Sequence, residues 1–433
     1  MPEIDHSVLE GENILWIENE SLRLGVNLGL GGAVTFLAEH GRPNLINSHD
    51  WGRQVQMSFY GHPTPYAPAG KTVNEHWRGL GWNPIQSGDC YGHRSKVLEY
   101  KADGNEIYVK CIPMQWPMDD CPGECTFEVW YRLAGKRVDV TARLRNARSD
   151  TTQYPGGSQE LPAVYTNGEW YKLVSYVGAE PYTGAPLTEL CNKENGLGWP
   201  WVSYCPTEHW AALVDDAGYG LGVCNPMTNR FIGGFAGKMG AGGPKDGPTG
   251  YISPLLTEIL DHNVVYDYHY SLIPGELGEI RAEACSLAQS RRQTDFRFDE
   301  NRAHFFYRDT VDQGFPTGGS LRFDFAPGAA LAGPDVFIGQ NAVKAIVIDG
   351  AFTAEAGELP CALAAPEYDG RFHGESHTKP ADWPVRKIPF ALRADGVRRE
   401  TAVDVSGRDF DMLGFAFEFG AAGRAEVFGI RFV

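Results

Sequence analysis

The chain has 433 residues, enough for two or three domains, and a formal net charge of −17. That balance lacks the basic footprint that nucleic acid or an anionic membrane surface needs, and it argues against both as partners. With 52 Gly, 28 Pro, 22 Phe, 19 Tyr and 11 Trp, and with many short apolar runs between turn signals, the composition predicts an all-β fold.

From Met1 to Ser21 there is no basic start and no apolar core of the length that a secretory signal needs, and no later run reaches membrane-spanning length. The protein is expected to be soluble and cytoplasmic. Nine cysteines, an odd number, are scattered along the chain and suit reduced thiols better than a disulfide framework. The one close pair, Cys121 and Cys125, lacks a second pair at zinc-binding spacing, so no metal and no cofactor is expected.

Strands are predicted at Ile14 to Ile17, Leu22 to Asn27, Ala33 to Leu37, Val97 to Tyr100, Ile107 to Ile112, Thr126 to Leu133 and Arg137 to Arg145, with Asp103-Gly104 as a hairpin turn. Gly29-Leu-Gly-Gly32 misses the phosphate-loop spacing, has no Lys and leads into a strand, so it reads as a tight turn. No helical period of twelve residues or more is evident, and no fixed repeat.

Between Asn47 and His93 the polar and aromatic residues concentrate. Arg53, Val55, Met57 and Phe59 alternate with Gln54, Gln56, Ser58 and Tyr60, as a strand with one polar face would. His76-Trp-Arg78 and Gly81-Trp-Asn-Pro-Ile-Gln86, then His93, follow. Aromatic rings cover the C–H side of a pyranose while amides and guanidinium pair with its hydroxyls, so this set predicts a sugar cleft. A loop packing on itself is the alternative.

Composition shifts near Ser286 to Asp295: ten of the eleven Trp precede this segment. The expected organisation is a large β-supersandwich over 1–290 and a smaller β-sandwich over 291–433, with strands at Ser320 to Phe325, Ala345 to Ile348, Leu413 to Phe419 and Ala425 to Val433. The final Phe428-Gly-Ile-Arg-Phe-Val433 resembles the closing strand of carbohydrate-binding jelly-roll modules.

Three further segments carry a broader likeness. Gly31-Gly-Ala-Val-Thr-Phe-Leu37 with Asn44 to Asn47 and Gly52-Arg53 resembles the opening of the galactose mutarotase-like β-supersandwich. Trp210 to Pro226 and Tyr266 to Arg281 are similar to its late strands. The resemblance implies that Gly52-Arg53 lines a sugar site. It does not choose a reaction, because that superfamily holds epimerases, lyases and sugar-binding domains of hydrolases. It also implies a mid-chain His and a late Glu in an epimerase, and the chain has no such His: Glu160 stands mid-chain and Glu258 late, with Asp261 as a rival.

Two carboxylates suit glycosidic cleavage, one protonating the leaving oxygen and the other acting as base or nucleophile. The expected site therefore has Glu160 and Glu258 as catalysts, with Arg53 oriented by Asp50. Gln56, Asn83, Gln86, His93 and Tyr165 hold the oligosaccharide, and Trp77 or Trp82 stacks on a ring. A glycoside hydrolase is expected ahead of a β-elimination lyase, in which Arg53, Asn83, Gln86, His93 and Tyr165 would serve a uronate. A mutarotase or epimerase and a non-catalytic sugar-binding protein are the other readings. No GxSxG elbow, HExxH helix or EF-hand loop is present to support another mechanism.

Overall fold

The computed structural model describes residues 6–191, 201–315, 317–372, 375–376 and 383–433. It is all-β. Two antiparallel sheets pack face to face in the first part of the chain. The first runs, by neighbouring strands, Ile14–Glu18, Leu22–Asn27, Ala33–Glu39, Val55–Gln56, Ala163–Asn167, Thr249–Glu258, Phe231–Ala236, Trp201–Tyr204 and Glu375–Ser376, with Gly157–Glu160 also paired to Thr249–Glu258. The second runs Thr188–Cys191, Lys172–Ser175, Trp210–Val214, Tyr219–Cys224, Val265–Glu276, Arg137–Asn146, Cys125–Ala134, Glu106–Ile112 and Lys96–Asp103.

Period-two alternation builds the core between them. Val138, Val140, Ala142 and Leu144 point inward with Phe127, Val129, Tyr131 and Leu133, and meet Leu22, Leu24, Val26, Val164 and Ile252 from the first sheet. The early strands lie where the sequence puts them, within a few residues at each end.

One helix was not foreseen. Leu277–Ser290 follows directly on the Val265–Glu276 strand and lies on the outer face of the second sheet. Its buried residues, Ile280, Ala284, Leu287 and Ala288, are spaced as one helical stripe. Two of the four are alanines, so the stripe is faint in the sequence. Gly222 lets it approach, since a Cβ there would lie 2.3 Å from Ile280 Cγ2.

A third sheet takes its strands from Asp295 to Phe432, around the long Ala345–Tyr368 strand. Gly423–Phe432, which carries the Phe428-Gly-Ile-Arg-Phe stretch, lies inside this sheet: Leu321–Phe325 and Asp295–Arg297 pair with it on one edge and Ala345–Tyr368 on the other. Phe305, Phe323, Phe352, Phe417 and Phe419 fill its core. Where the third sheet meets the first two, Arg302 is 4% exposed and lies between Asp261 (2.9 Å) and Asp312 (2.6 Å). Beside it His304 Nδ1 lies 2.7 Å from Glu258 Oε1. The C-terminal part also reaches back into the first sheet, because Glu375–Ser376 pairs with Val202 and Ser203.

Candidate functional site

The polar stretch from Arg53 to Tyr60 forms only two residues of regular strand, Val55–Gln56. Val55, Met57 and Phe59 enter the core as the alternation predicts, but Gln54, Gln56 and Ser58 are buried as well. The segment is joined to residues 82–87 by isolated bridges, Ser58 to Ile85 and Gly61 to Trp82, and amide side chains complete the pairing. Gln86 Oε1 accepts from Met57 N (3.0 Å) and its Nε2 donates to Gly31 O (3.1 Å). Gln56 Oε1 accepts from Ser87 N (3.0 Å), and Asn83 Nδ2 donates to Phe59 O (2.7 Å). Buried main-chain groups without a ladder need such partners.

The expectation that Gln56, Asn83 and Gln86 line a sugar cleft is therefore corrected: all three are buried and bonded to the chain itself. Trp82 is fully buried in the central core and cannot stack on a sugar. Trp77 packs edge-on against Trp116, and His93 Nδ1 lies 2.9 Å from Asp89 Oδ2 within its own loop. The alternative of a loop packing on itself describes this region.

Glu160 and Glu258 are not brought together either. Glu160 pairs with Leu255 and Glu258 with Gly157, three positions apart along Thr249–Glu258. An odd separation sends the two side chains to opposite faces of the sheet. Glu258 shares the inward parity of Leu256 and ends against His304 at the junction with the third sheet. Asp261 is there too, bonded to Arg302.

Glu160 points to the outer face of the first sheet, where three rows of side chains cross the strands. The first row is aromatic: Tyr165 opposite Tyr251, Tyr251 opposite Gly234, Gly234 opposite Trp201. Because Gly234 has no side chain, Trp201 reaches over it and its ring lies 4.6 Å from that of Tyr251, which lies 4.5 Å from Tyr165. The second row is low, with Ala163, Ser253, Ile232 and Ser203. The third holds Glu160, Leu255 and Arg230, since Leu255 is paired to Glu160 on one side and its N donates to Arg230 O (2.7 Å) on the other.

Tyr251 spans the low row and its hydroxyl donates to Glu160 Oε2. Burial pushes the Glu160 carboxyl up from its ordinary 4.5, and the Tyr251 hydrogen bond offsets only part of that rise. Burial and the nearby Glu160 carboxylate raise Tyr60, Tyr165 and Tyr251 as well, so all three stay neutral hydroxyls. Tyr60 lies within the fields of Glu160 and Arg230, and Tyr165 within those of Glu160, Asp50 and Arg53.

Arg53 closes the other end. Its Nε lies 3.1 Å from Asp50 Oδ2 and its Nη1 donates to Gly247 O (2.5 Å), while Asp50 Oδ1 accepts from Gly52 N (2.9 Å). Asp50 thus orients Arg53, as expected. Of the sequence candidates, the structure gathers Glu160, Tyr165 and Arg53. Tyr60 lay on the polar face read from the sequence, while Trp201, Arg230 and Tyr251 were missed: they come from three separate segments, and only strand register joins them. Among the described residues there is no group of three or more acidic, His or Cys side chains that could hold a metal ion.

No family model and no curated protein matches the sequence. Among solved structures, the chain is similar to a putative aldose 1-epimerase from Escherichia coli K12 (12% identity, TM-score 0.39, covering 61% of this chain and 99% of that one). It is also similar to a galactose mutarotase-like protein from Lactobacillus casei ATCC 334 (11%, 0.37, covering 60% and 99%) and to an alpha-galactosidase from Lactobacillus brevis (9%, 0.33, covering 63% and 40%). Galactose mutarotase-like proteins, the group the sequence resembles, are thus among the similar structures. At these identities and TM-scores the likeness assigns no reaction. Among the described residues, no helix is long and apolar enough to cross a membrane.

Proposed function

We propose that the protein is a carbohydrate-active enzyme in which Glu160 donates a proton to an oxygen at the anomeric carbon of a sugar. The observation that supports this is the Glu160 carboxyl, raised by burial and bonded to Tyr251, beside an aromatic row on the outer face of the first sheet. A carboxylic acid kept neutral above its ordinary range is suited to general acid catalysis. With Oε2 taken by Tyr251, Oε1 is the oxygen that meets the substrate. Tyr165 and Trp201, both partly exposed, offer ring surface to the C–H side of a sugar, and Arg53, Arg230 and Tyr60 offer donors to its hydroxyls.

The same acid serves ring opening, in which it protonates the ring oxygen as the C1–O5 bond breaks and the O1 proton passes to water, and glycosidic hydrolysis, in which it protonates the leaving oxygen as the C1–O bond breaks, water adds to the anomeric carbon and its proton passes to solvent. Hydrolysis by the pair Glu160 and Glu258 does not fit, because those side chains lie on opposite faces. The neutral tyrosines make poor bases for removing a C5 proton, which disfavours β-elimination.

The test is a screen of the purified protein on free aldohexoses by NMR anomer exchange, on p-nitrophenyl glycosides, and on oligosaccharides by reducing ends and by absorbance of unsaturated uronates. Faster anomer exchange or new reducing ends, lost by a factor of ~10² or more in Glu160→Gln with folding intact, is the expected result. Unsaturated uronates, or sugar binding without turnover in the wild type, would overturn it.

A further inference from the structure

Arg230 shares its row with Glu160, and near its guanidinium lies Asp335, from the loop before the Phe337–Ile338 strand. Its main chain is fixed on both sides: Arg230 N donates to Thr228 Oγ1 (3.0 Å), and Arg230 O accepts from Leu255 N (2.7 Å). The preceding residue, Asn229, is fully buried and interlocks with residues 335–337. Asn229 N donates to Asp335 O (2.8 Å), its Oδ1 accepts from Phe337 N (2.7 Å), and its Nδ2 donates to Pro206 O (2.6 Å). This places the Asp335 carboxylate 3.5 Å from Arg230 Nη1.

Room for that carboxylate depends on Gly414. Its φ of +73° belongs to the region that favours glycine, and a Cβ there would lie 3.2 Å from Asp335 Oδ1. The third sheet's chain touches the face a second time through Glu375–Ser376, paired to Val202 and Ser203 beside Trp201. The C-terminal part of the chain therefore meets this face at its acid row, through Asp335, and at the end of its second row, beside Ser203.

We propose that Asp335 is a positioning residue for Arg230, and that the C-terminal part of the chain thereby completes the sugar-binding face. This rests on the reading that the Glu160 face binds sugar. The guanidinium is planar and directional, and Arg230 sits on a long side chain that is partly exposed. Asp335 holds one guanidinium nitrogen of Arg230, and the charges of Arg230 and Glu160 both bear on Tyr60.

The experiment compares wild type, Asp335→Asn, Asp335→Glu and Gly414→Ala in two measurements. The first needs no substrate: phenylglyoxal modification of Arg230, followed by mass spectrometry. The second is the KM and kcat split with D-galactose, D-glucose and their p-nitrophenyl glycosides. Asp335→Asn is expected to speed Arg230 modification and to raise KM roughly threefold to fivefold, with kcat within about twofold and the melting temperature unchanged. Asp335→Glu recovers part of the KM, and Gly414→Ala shifts it in the same direction as Asp335→Asn. Unchanged labelling and KM in Asp335→Asn, or a loss of kcat that follows a loss of folding, would overturn the proposal. If wild type turns over neither these sugars nor the oligosaccharides of the first screen, both readings fall. If it does and Glu160→Gln is equally active, only the role of Glu160 fails, and the Asp335 comparison stands by itself.

Discussion

Glu160 and Glu258 lie on neighbouring strands of one sheet, yet they occupy opposite chemical settings. Glu160 faces outward, with the Tyr251 hydroxyl as its partner and the aromatic row beyond a row of smaller side chains. Glu258 faces inward, 5% exposed, with His304 Nδ1 at 2.7 Å, and the Tyr266 hydroxyl lies 3.1 Å from the same ring nitrogen. In sequence both were candidate catalytic carboxylates, Glu258 between Leu255, Leu256, Ile259 and Leu260 and Glu160 after Ser158-Gln159. The difference teaches that what a buried acid faces sets its use: the Glu258 side chain is tied to His304 where two parts of the fold meet, while the Glu160 carboxyl, raised by burial, stands beside aromatic rings on the outer face.

The comparison is broken most severely from the inner side. Asp261→Asn leaves the buried Arg302 guanidinium with Asp312 alone. The expected loss is ~3–5 kcal/mol of stability in chemical denaturation, with Glu258→Gln costing less, ~1–3 kcal/mol for one buried hydrogen bond. Neither change is expected to move sugar turnover in the fraction that remains folded. A collapse of turnover in stable Glu258→Gln protein would place Glu258 in the chemistry.

Next in size is pH. The folded protein favours the protonated form of Glu160, so the acid is present below its raised pKa and lost as pH rises through it. Turnover should fall about tenfold per pH unit on that basic limb, which lies above the ordinary glutamate range of ~4.3. The stability contribution of Glu160 has the same sign: present at pH below 4.5 and lost as pH rises through the raised value. A rate that rises with pH through this window would make Glu160 a base instead.

The smallest expected effect sharpens the aromatic row. Trp201→Ala removes the ring that crosses Gly234. Sugar affinity measured by calorimetry should drop by ~1 kcal/mol, about fivefold, with little change in melting temperature. An affinity unchanged within error would show that the sugar does not stack there.

Much of the scaffold was legible. The alternations in Arg137–Asn146, Cys125–Ala134 and Glu106–Ile112 are properties of the strands themselves, since inward and outward positions follow from the period of two. The helix at Leu277–Ser290 was missed because alanines supply half of its buried stripe. The Gln and Asn residues near 54–86 were identified as unusual, and they are. Sequence could not say whether an amide faces a ligand or a main-chain group, because that depends on a second segment distant along the chain.

The sequence by itself determined an all-β chain, the positions of most strands, and a few members of the face: Glu160, Tyr165, and Arg53 held by Asp50. Tertiary structure decided the rest through register. A shift of one residue between Gly157–Glu160 and Thr249–Glu258 would exchange the faces of Glu160 and Gln159, and no local signal fixes that shift. Only the packed sheets bring Tyr60, Trp201, Arg230 and Tyr251 around one carboxyl, and only the pairing of Thr228–Arg230 with residues 335–337 gives Arg230 its partner from the third sheet.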